Sequence, residues 1–395
     1  MAHPPHRHRK RTDSQPAATI GLRAAQVVEQ QRVEIRANLG AALDGRDPEG
    51  VHDMRVASRR LRACLQLFVP WLEKDDLERT GSAIRAVTRA LGRVRELDVL
   101  RLRLTGFSRQ ARPERALALE ALDSRLEQRR RRARARMMAR FAKVDLDRLD
   151  HRLRRLVAHL ETSGNAAVAT DGTASPDTTT NARVDPATVE GRAVAPAFAP
   201  ATLLVGFAAA DIRGAVHDAL DREIPEEVGS TAAAEELHQV RIAAKKLRYL
   251  LEIAAPYVGD TGPTLVKRLK ALQDGLGDFH DDAVLDAVLS GAIEDASERD
   301  RTLLARELRR FRTLRRRALA RDERAVRAAI VALRDSGFAS AIEDALTAAG
   351  AGTSVAEEPP PPELAVADRG ADATIEHARA ESAMTVRRRA ATTLH

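Results

Sequence analysis

The sequence predicts an all-α protein, and three observations carry the prediction. Arg, Ala, Leu and Glu dominate while aromatic residues make up only 3%, so strand-forming runs of β-branched and aromatic residues are scarce. Apolar residues recur at helical spacing through two long stretches, residues 20–161 and 201–350. The second stretch repeats the pattern of the first, so the fold of one half is expected again in the other.

Residues 1–18 are basic, rich in His, Pro and Arg and without helical periodicity, which predicts a disordered tail. The first helical half, residues 19–161, is interrupted at 45–50, at 74–75, near 112–113 and around 143–145. Asp47 is placed to cap a helix that starts at Pro48, because aspartate accepts from the free first-turn amides and proline needs no donor there. Pro70 ends that helix. Residues 162–200 shift to Thr, Ala, Gly, Asp and Pro, the composition of a linker or surface insertion. The second helical half spans 201–350, and residues 351–395, with prolines at 359–362, read as a mostly disordered tail.

With 395 residues and 44% hydrophobic content, the chain suffices for one large helical domain or two smaller ones. A net charge of +8 and a sequence pI of about 10.1 favour a polyanionic partner. Cys64 is the only cysteine, so no intrachain disulfide forms, which fits a reducing cytoplasm. The N-terminus is basic but has no apolar core behind it, unlike a signal peptide, and no apolar run approaches the roughly 20 residues of a membrane span. The expected localisation is cytoplasmic, with no membrane partner.

The repeat is sharpest in a basic stripe headed by histidine. Residues 51–72 read VHDMRVASRRLRACLQLFVPWL, and residues 237–258, 186 positions later, read LHQVRIAAKKLRYLLEIAAPYV. His52, Arg55, Leu61, Arg62, Leu65 and Pro70 recur as His238, Arg241, Leu247, Arg248, Leu251 and Pro256, while Arg59 and Arg60 become Lys245 and Lys246. On a helix, His52, Arg55, Arg59 and Arg62 fall within an arc of roughly 80°, beside an apolar arc of Val51, Met54, Leu61 and Leu65. The second copy arranges His238, Arg241, Lys245 and Arg248 in the same way. Like charges three and four residues apart repel, and a merely solvated helix would interleave acids among them. Between His238 and Leu251 there is none. Snorkelling of these side chains around the core edge toward acids of other helices is the plainer explanation. The functional one is that two facing stripes line an anion-binding groove.

A second repeat follows at an offset of 185. Residues 84–100, IRAVTRALGRVRELDVL, match residues 269–285, LKALQDGLGDFHDDAVL, so that Leu91-Gly92 pairs with Leu276-Gly277, Arg85 with Lys270, and Arg95-Glu96 with His280-Asp281. An extended cationic track suits a polymer of phosphates, whose condensed counterions are released on binding. Arginine grips phosphate oxygens through a planar fork, lysine acts as a point charge, and histidine adds a donor that titrates near neutrality. Single-strand nucleic acid readers also stack bases on aromatics. Here Phe68, Trp71, Tyr249, Tyr257 and Phe279 mostly occupy core-like positions, so a base-free polyphosphate fits better.

The motif His52-x-x-Arg55 with Arg59-Arg60-Leu61-Arg62, followed by Leu91-Gly92-x-x-Arg95-Glu96-x-Asp98, with both segments duplicated, resembles the CHAD family, the conserved histidine α-helical domain. The resemblance implies two pseudosymmetric up-and-down helical bundles, duplicated four-helix units around a basic central cavity that binds inorganic polyphosphate. The ligands it implies are His52, Arg55, Arg59, Arg62, Arg85 and Arg95 in the first half, and His238, Arg241, Lys245, Arg248, Lys270 and His280 in the second. It also implies an association with polyphosphate granules. CHAD domains are often joined to a triphosphate-hydrolysing CYTH-type domain, and no segment here has its alternating Glu and Lys strands. The resemblance therefore implies binding without catalysis, with no cofactor and no metal; oligomeric state is open.

Two alternatives differ in class. One is a nucleic-acid-binding protein. The other is a metal phosphohydrolase, suggested by His52-Asp53 and His280-Asp281-Asp282, against which stand the cations sharing His52's face and Gln239 in place of an acid after His238. The arginine-rich segments 129–140 and 306–317 read as mostly solvated faces, Gly92 and Gly277 as close-packing or phosphate-approach positions, and Cys64 as a buried small residue.

Overall fold

The structure, a computed structural model, describes residues 18–166, 188–189, 192–193 and 196–351. The basic N-terminal tail, most of the 162–200 insertion and the C-terminal tail lie outside the described residues. Ten α-helices occur among them: α1 Ile20–Asp44, α2 Pro48–Leu67, α3 Lys74–Ser108, α4 Pro113–Val144, α5 Leu146–Asn165, α6 Leu203–Leu220, α7 Thr231–Ala254, α8 Thr261–Glu298, α9 Thr302–Asp335 and α10 Phe338–Ala351. The extended structure is a two-residue antiparallel pair, Thr188–Val189 with Arg192–Ala193, and one isolated bridge between Thr19 and Pro200.

Local chemistry sets the boundaries. The Asp47 carboxylate accepts from the Glu49 amide at 2.9 Å with Pro48 in the first turn, and Ser230 caps α7 by accepting from the Ala233 amide at 3.1 Å. Pro70 and Pro256 each sit in a 3₁₀ turn, Val69–Trp71 and Ala255–Tyr257, directly after α2 and α7. Helix α5 runs to Asn165, a few residues into the segment whose composition reads as linker.

Successive helices pack on one another within each half, and the fifth returns to the first: α5 lies against α1 and α10 against α6. Each half is thus a set of five helices, not the four that the resemblance implies. The extra helix is the amphipathic one that covers the apolar face of α1 or α6, left bare by a four-helix chain.

The core repeats position by position. Val51, Met54, Leu61 and Leu65 are buried on α2, as are Leu237, Val240, Leu247 and Leu251 on α7. Ile84, Leu91, Val94 and Leu104 are buried on α3, as are Leu269, Leu276, Phe279 and Leu289 on α8. Each such side chain contributes roughly 2 kcal/mol of transfer free energy. Like-charge repulsion costs a few tenths per helical pair. The apolar edges of α2 and α7 therefore hold these helices in place despite the charge beside them.

Contacts across the halves join them. Phe107 of α3 meets Phe311 of α9 edge-on at 5.4 Å, and Trp71 meets Phe207 of α6 at 4.9 Å. The Arg103 guanidinium on α3 donates to the Asp278 carboxylate at 2.8 Å and to buried Asp282, both on α8. Among the described residues no helix is long and apolar enough to cross a membrane.

Candidate anion-binding site

Helix α2 packs against α7, which brings the two basic stripes together. Burial holds Arg55 below its ordinary pKa, and the cations Arg59 on its own helix and Arg241 on the opposite one add to the effect. Arg241 is depressed first by burial, then by Arg59. Lys245 is pushed down to about 6, by burial first and then by Arg241, Arg59 and Arg55. Two carboxylates oppose this charge from equivalent positions: Glu96 acts on Arg55 and Asp281 on Arg241. Neither is dedicated to the cluster, because Glu96 pairs with Arg93 at 3.1 Å and Asp281 lies 4.0 Å from Arg103. The Nε donors of Arg55 and Arg241, again equivalent atoms, are buried with no hydrogen-bond partner within the protein.

His238 and His280 join this centre. Their rings stack with centroids 4.8 Å apart and planes at 27°, and their Nδ1 atoms approach to 3.3 Å, so one imidazole donates to the other. His280 is pushed down to about 4 by burial and by Arg241, His238 and Lys245, and His238 is lowered by burial and Arg241. In the first half the corresponding pair is His52 and Arg95. Burial and then the Arg95 charge lower His52, and Arg95 also donates to Glu49 at 3.3 Å.

The remaining positions sit around this centre or apart from it. Arg62 is lowered by burial, then by Arg85, Arg59 and Arg89, so Arg62 and Arg85 continue the track beyond Arg59. Arg248 turns toward Glu252, 3.5 Å away, which also accepts from Arg60 at 3.3 Å. Lys270 is exposed on α8, and among the described residues nothing ties it to the centre.

Gly92 borders the site. A Cβ built there meets no backbone; its nearest atom is the Arg55 Nε at 3.6 Å, an ordinary contact distance, so the guanidinium lies against α3 at this position without needing a glycine. Glu49, His52 and Asp53 place donor atoms within 4.8 Å of one another, but Glu49 is engaged by Arg95 and the repeat offers no second such group among the described residues. Cys64 is buried, and burial pushes its thiol up to about 12.

A family model described as the CHAD domain matches residues 26–290, more than half of the chain. The chain belongs to the CHAD family. The crystal structure of the CHAD domain from the plant Ricinus communis shares its fold with a TM-score of 0.56 at 21% identity, covering 81% of this chain and 94% of that one. PptA from Streptomyces chartreusis aligns with a TM-score of 0.50 at 18% identity, covering 81% of this chain and 100% of that one. At these identities the likeness is one of fold. No curated protein matches.

Within this CHAD chain, two features escape motif reading. Arg103, which ties α3 to α8, is signalled only by the acidic run Asp278, Asp281 and Asp282 on a helix distant in sequence. Arg89 lies beside Arg62 and Arg85, and its signal is the four-residue ladder Arg85, Arg89, Arg93 along α3.

Proposed function

We propose that the chain binds inorganic polyphosphate between α2 and α7 without transforming it. The observation that carries this reading is the meeting of Arg55, Arg59, Arg241 and Lys245, like charges held together where burial first, and then their mutual repulsion, push Lys245 down to about 6. A bound polyanion supplies the missing counter-charge and the acceptors for the unpaired Nε donors. Most of the aromatic side chains near the stripes speak against base stacking: Phe68, Trp71, Tyr249 and Phe279 are buried in the core, and Tyr257 is half-buried. Under this reading the chain works in the cytoplasm on polyphosphate granules, and His52, Arg62, Arg85, Arg95, His238 and His280 extend the contacts on either side. Arg248 and Lys270 contribute as long-range charge.

The test is a salt titration of binding to long-chain polyphosphate and to length-matched single-stranded and duplex nucleic acid, with wild type and an Arg55→Ala, Arg241→Ala double variant. Loss of two half-buried cations is expected to weaken polyphosphate binding by roughly a hundredfold or more. Equal competition by nucleic acid, or a variant that binds like wild type, refutes the reading. Phosphate release sensitive to a chelator refutes its non-catalytic part.

A further inference from the structure

Away from the α2–α7 centre, a groove of about 490 Å³ runs between α3 and α4. Its walls carry Arg89 and Arg93 from α3 and Arg136, Arg140 and Lys143 from α4, over a floor of alanines and Met137, with no acid in the lining. The five cations are exposed. Arg93 pairs with Glu96, but among the described residues no carboxylate pairs with Arg89, Arg136, Arg140 or Lys143. Apart from Glu96 beside Arg93, neither helix supplies the groove cations with acids at the stabilising spacing: Arg89 is flanked four residues away by Arg85 and Arg93, and Arg136 by Arg132 and Arg140. A solvated face would relieve this repulsion with interleaved glutamates, as Glu127 does for Arg131 earlier on α4.

The repeat supplies an internal comparison. Buried Leu119, Leu122, Met137 and Phe141 of α4 correspond, 189 positions on, to buried Leu308, Phe311, Val326 and Ile330 of α9. In that register Arg136, Arg140 and Lys143 become Ala325, Ala329 and Ala332, while in the 185-residue register that relates α3 to α8 Arg89 and Arg93 become Asp274 and Asp278. The scaffold is retained and the basic lining is not, so the charge serves something other than the packing of these two helices. The groove also continues the stripe, because Arg89, one of its walls, lies close enough to Arg62 to lower its pKa together with Arg85.

We propose that the α3–α4 groove is a second segment of the anion site, taking the same phosphate chain after it passes Arg62 and Arg85, so that long polyphosphate gains contacts short chains cannot reach. This rests on the polyphosphate reading above. The site is one-sided, and the chain leaves the α2–α7 centre over the first half only.

The experiment compares tripolyphosphate with long-chain polyphosphate, using wild type, an Arg136→Gln, Arg140→Gln, Lys143→Gln groove variant and the Arg55→Ala, Arg241→Ala variant. Thermal melts check that the exposed substitutions leave folding intact. The groove variant is expected to bind tripolyphosphate like wild type and long chains about tenfold more weakly, since three exposed cation contacts are lost. The long-chain salt slope is expected to fall by about 2, with the coefficient for a single-stranded polyanion. Unchanged long-chain binding, or an equal loss for both chain lengths, overturns the second segment while leaving the α2–α7 site intact. Length-matched single-stranded nucleic acid that depends on these three residues as strongly as polyphosphate overturns the choice of ligand. Failure of wild type to bind either chain, or no effect of the Arg55, Arg241 variant, overturns the underlying reading instead.

Discussion

Binding of polyphosphate should draw protons from solution, because the centre of the site is under-protonated when empty of counter-charge. Lys245 titrates at about 6, so at pH 7 only about one tenth of it is charged. Burial is the largest cause of the depression and persists in the complex, but a phosphate chain beside the ammonium offsets it together with the repulsion of Arg241, Arg59 and Arg55 and raises the lysine toward its ordinary 10.5, an uptake of up to about 0.9 proton at pH 7. His280, at about 4 in the free protein, returns toward 6.5 and adds roughly a quarter of a proton. The sum is about one proton per bound chain. The sign follows: the complex binds more protons than the free protein, so affinity rises as pH falls, by nearly tenfold per unit between about pH 9 and 7. The Lys245 contribution levels off below about 6, where the free lysine is already charged, and the histidines continue the trend below it. Isothermal titration calorimetry in two buffers of different ionisation enthalpy reads the proton count directly, and long chains keep titration of the chain ends negligible. In Lys245→Met the uptake should fall to roughly 0.3 proton or less. No uptake, or proton release on binding, refutes the argument that the cluster is strained by its own charge.

Two further expectations concern stability. Because Lys245 keeps its proton to about 10.5 when unfolded but only to about 6 when folded, the unfolded state holds more protons in that window, and wild type loses stability as pH falls through it. Lys245→Met should therefore melt higher than wild type at pH 7, by about 2 kcal/mol in chemical denaturation, with the advantage fading above about pH 10; a variant less stable at pH 7 contradicts this. Arg103→Ala removes one partner of buried Asp282, which keeps Arg315, and the only ion-pair partner that Asp278 has among the described residues. It should cost about 3 kcal/mol in urea unfolding, whereas Arg93→Ala, which breaks only an exposed pair, should cost less than about 0.5 kcal/mol.

The fold was legible where one residue type enforces one geometry. Asp47, Pro48 and Pro70 mark helix ends through capping and the missing proline donor, and the helices begin and stop there. The apolar arc of the stripe is the buried arc, and the cations lie on its edge, because helical periodicity fixes both at once. The break around 143–145 marks off the last helix of the first half, but where the fifth helices pack was not legible, since α5 and α10 carry ordinary amphipathic patterns and nothing in them names α1 or α6 as the surface they cover. Motif matching also assigned Arg248 and Lys270 the same role as Arg62 and Arg85. Local sequence could not show that Glu252, one turn after Arg248, draws it aside. The groove between α3 and α4 was hidden for a similar reason. Its basic residues read as solvated charge on each helix alone, and only packing brings the two ladders to one space.

Between the α2–α7 stripes and the internal ion pairs, the repeat itself separates cations that serve a partner from cations that serve the fold. In the first half Arg101 of α3 donates to Asp123 at 2.9 Å and to Glu127, both on α4. In the second half the same three positions carry the opposite charges: Asp286 of α8 accepts from Arg312 at 2.8 Å and Arg316 at 3.2 Å. An ion pair closed within the protein is indifferent to which side bears which sign, provided both partners change together. The stripe shows no such freedom. Arg55 with Arg241 and Arg59 with Lys245 keep their sign in both copies although they repel one another across the α2–α7 contact. An internal pairing would have let one copy invert, as the α3–α4 and α8–α9 pairs did. A partner of fixed negative charge lying against both helices allows no inversion, and that constraint, absent from the structural pairs, is what the two stripes have in common.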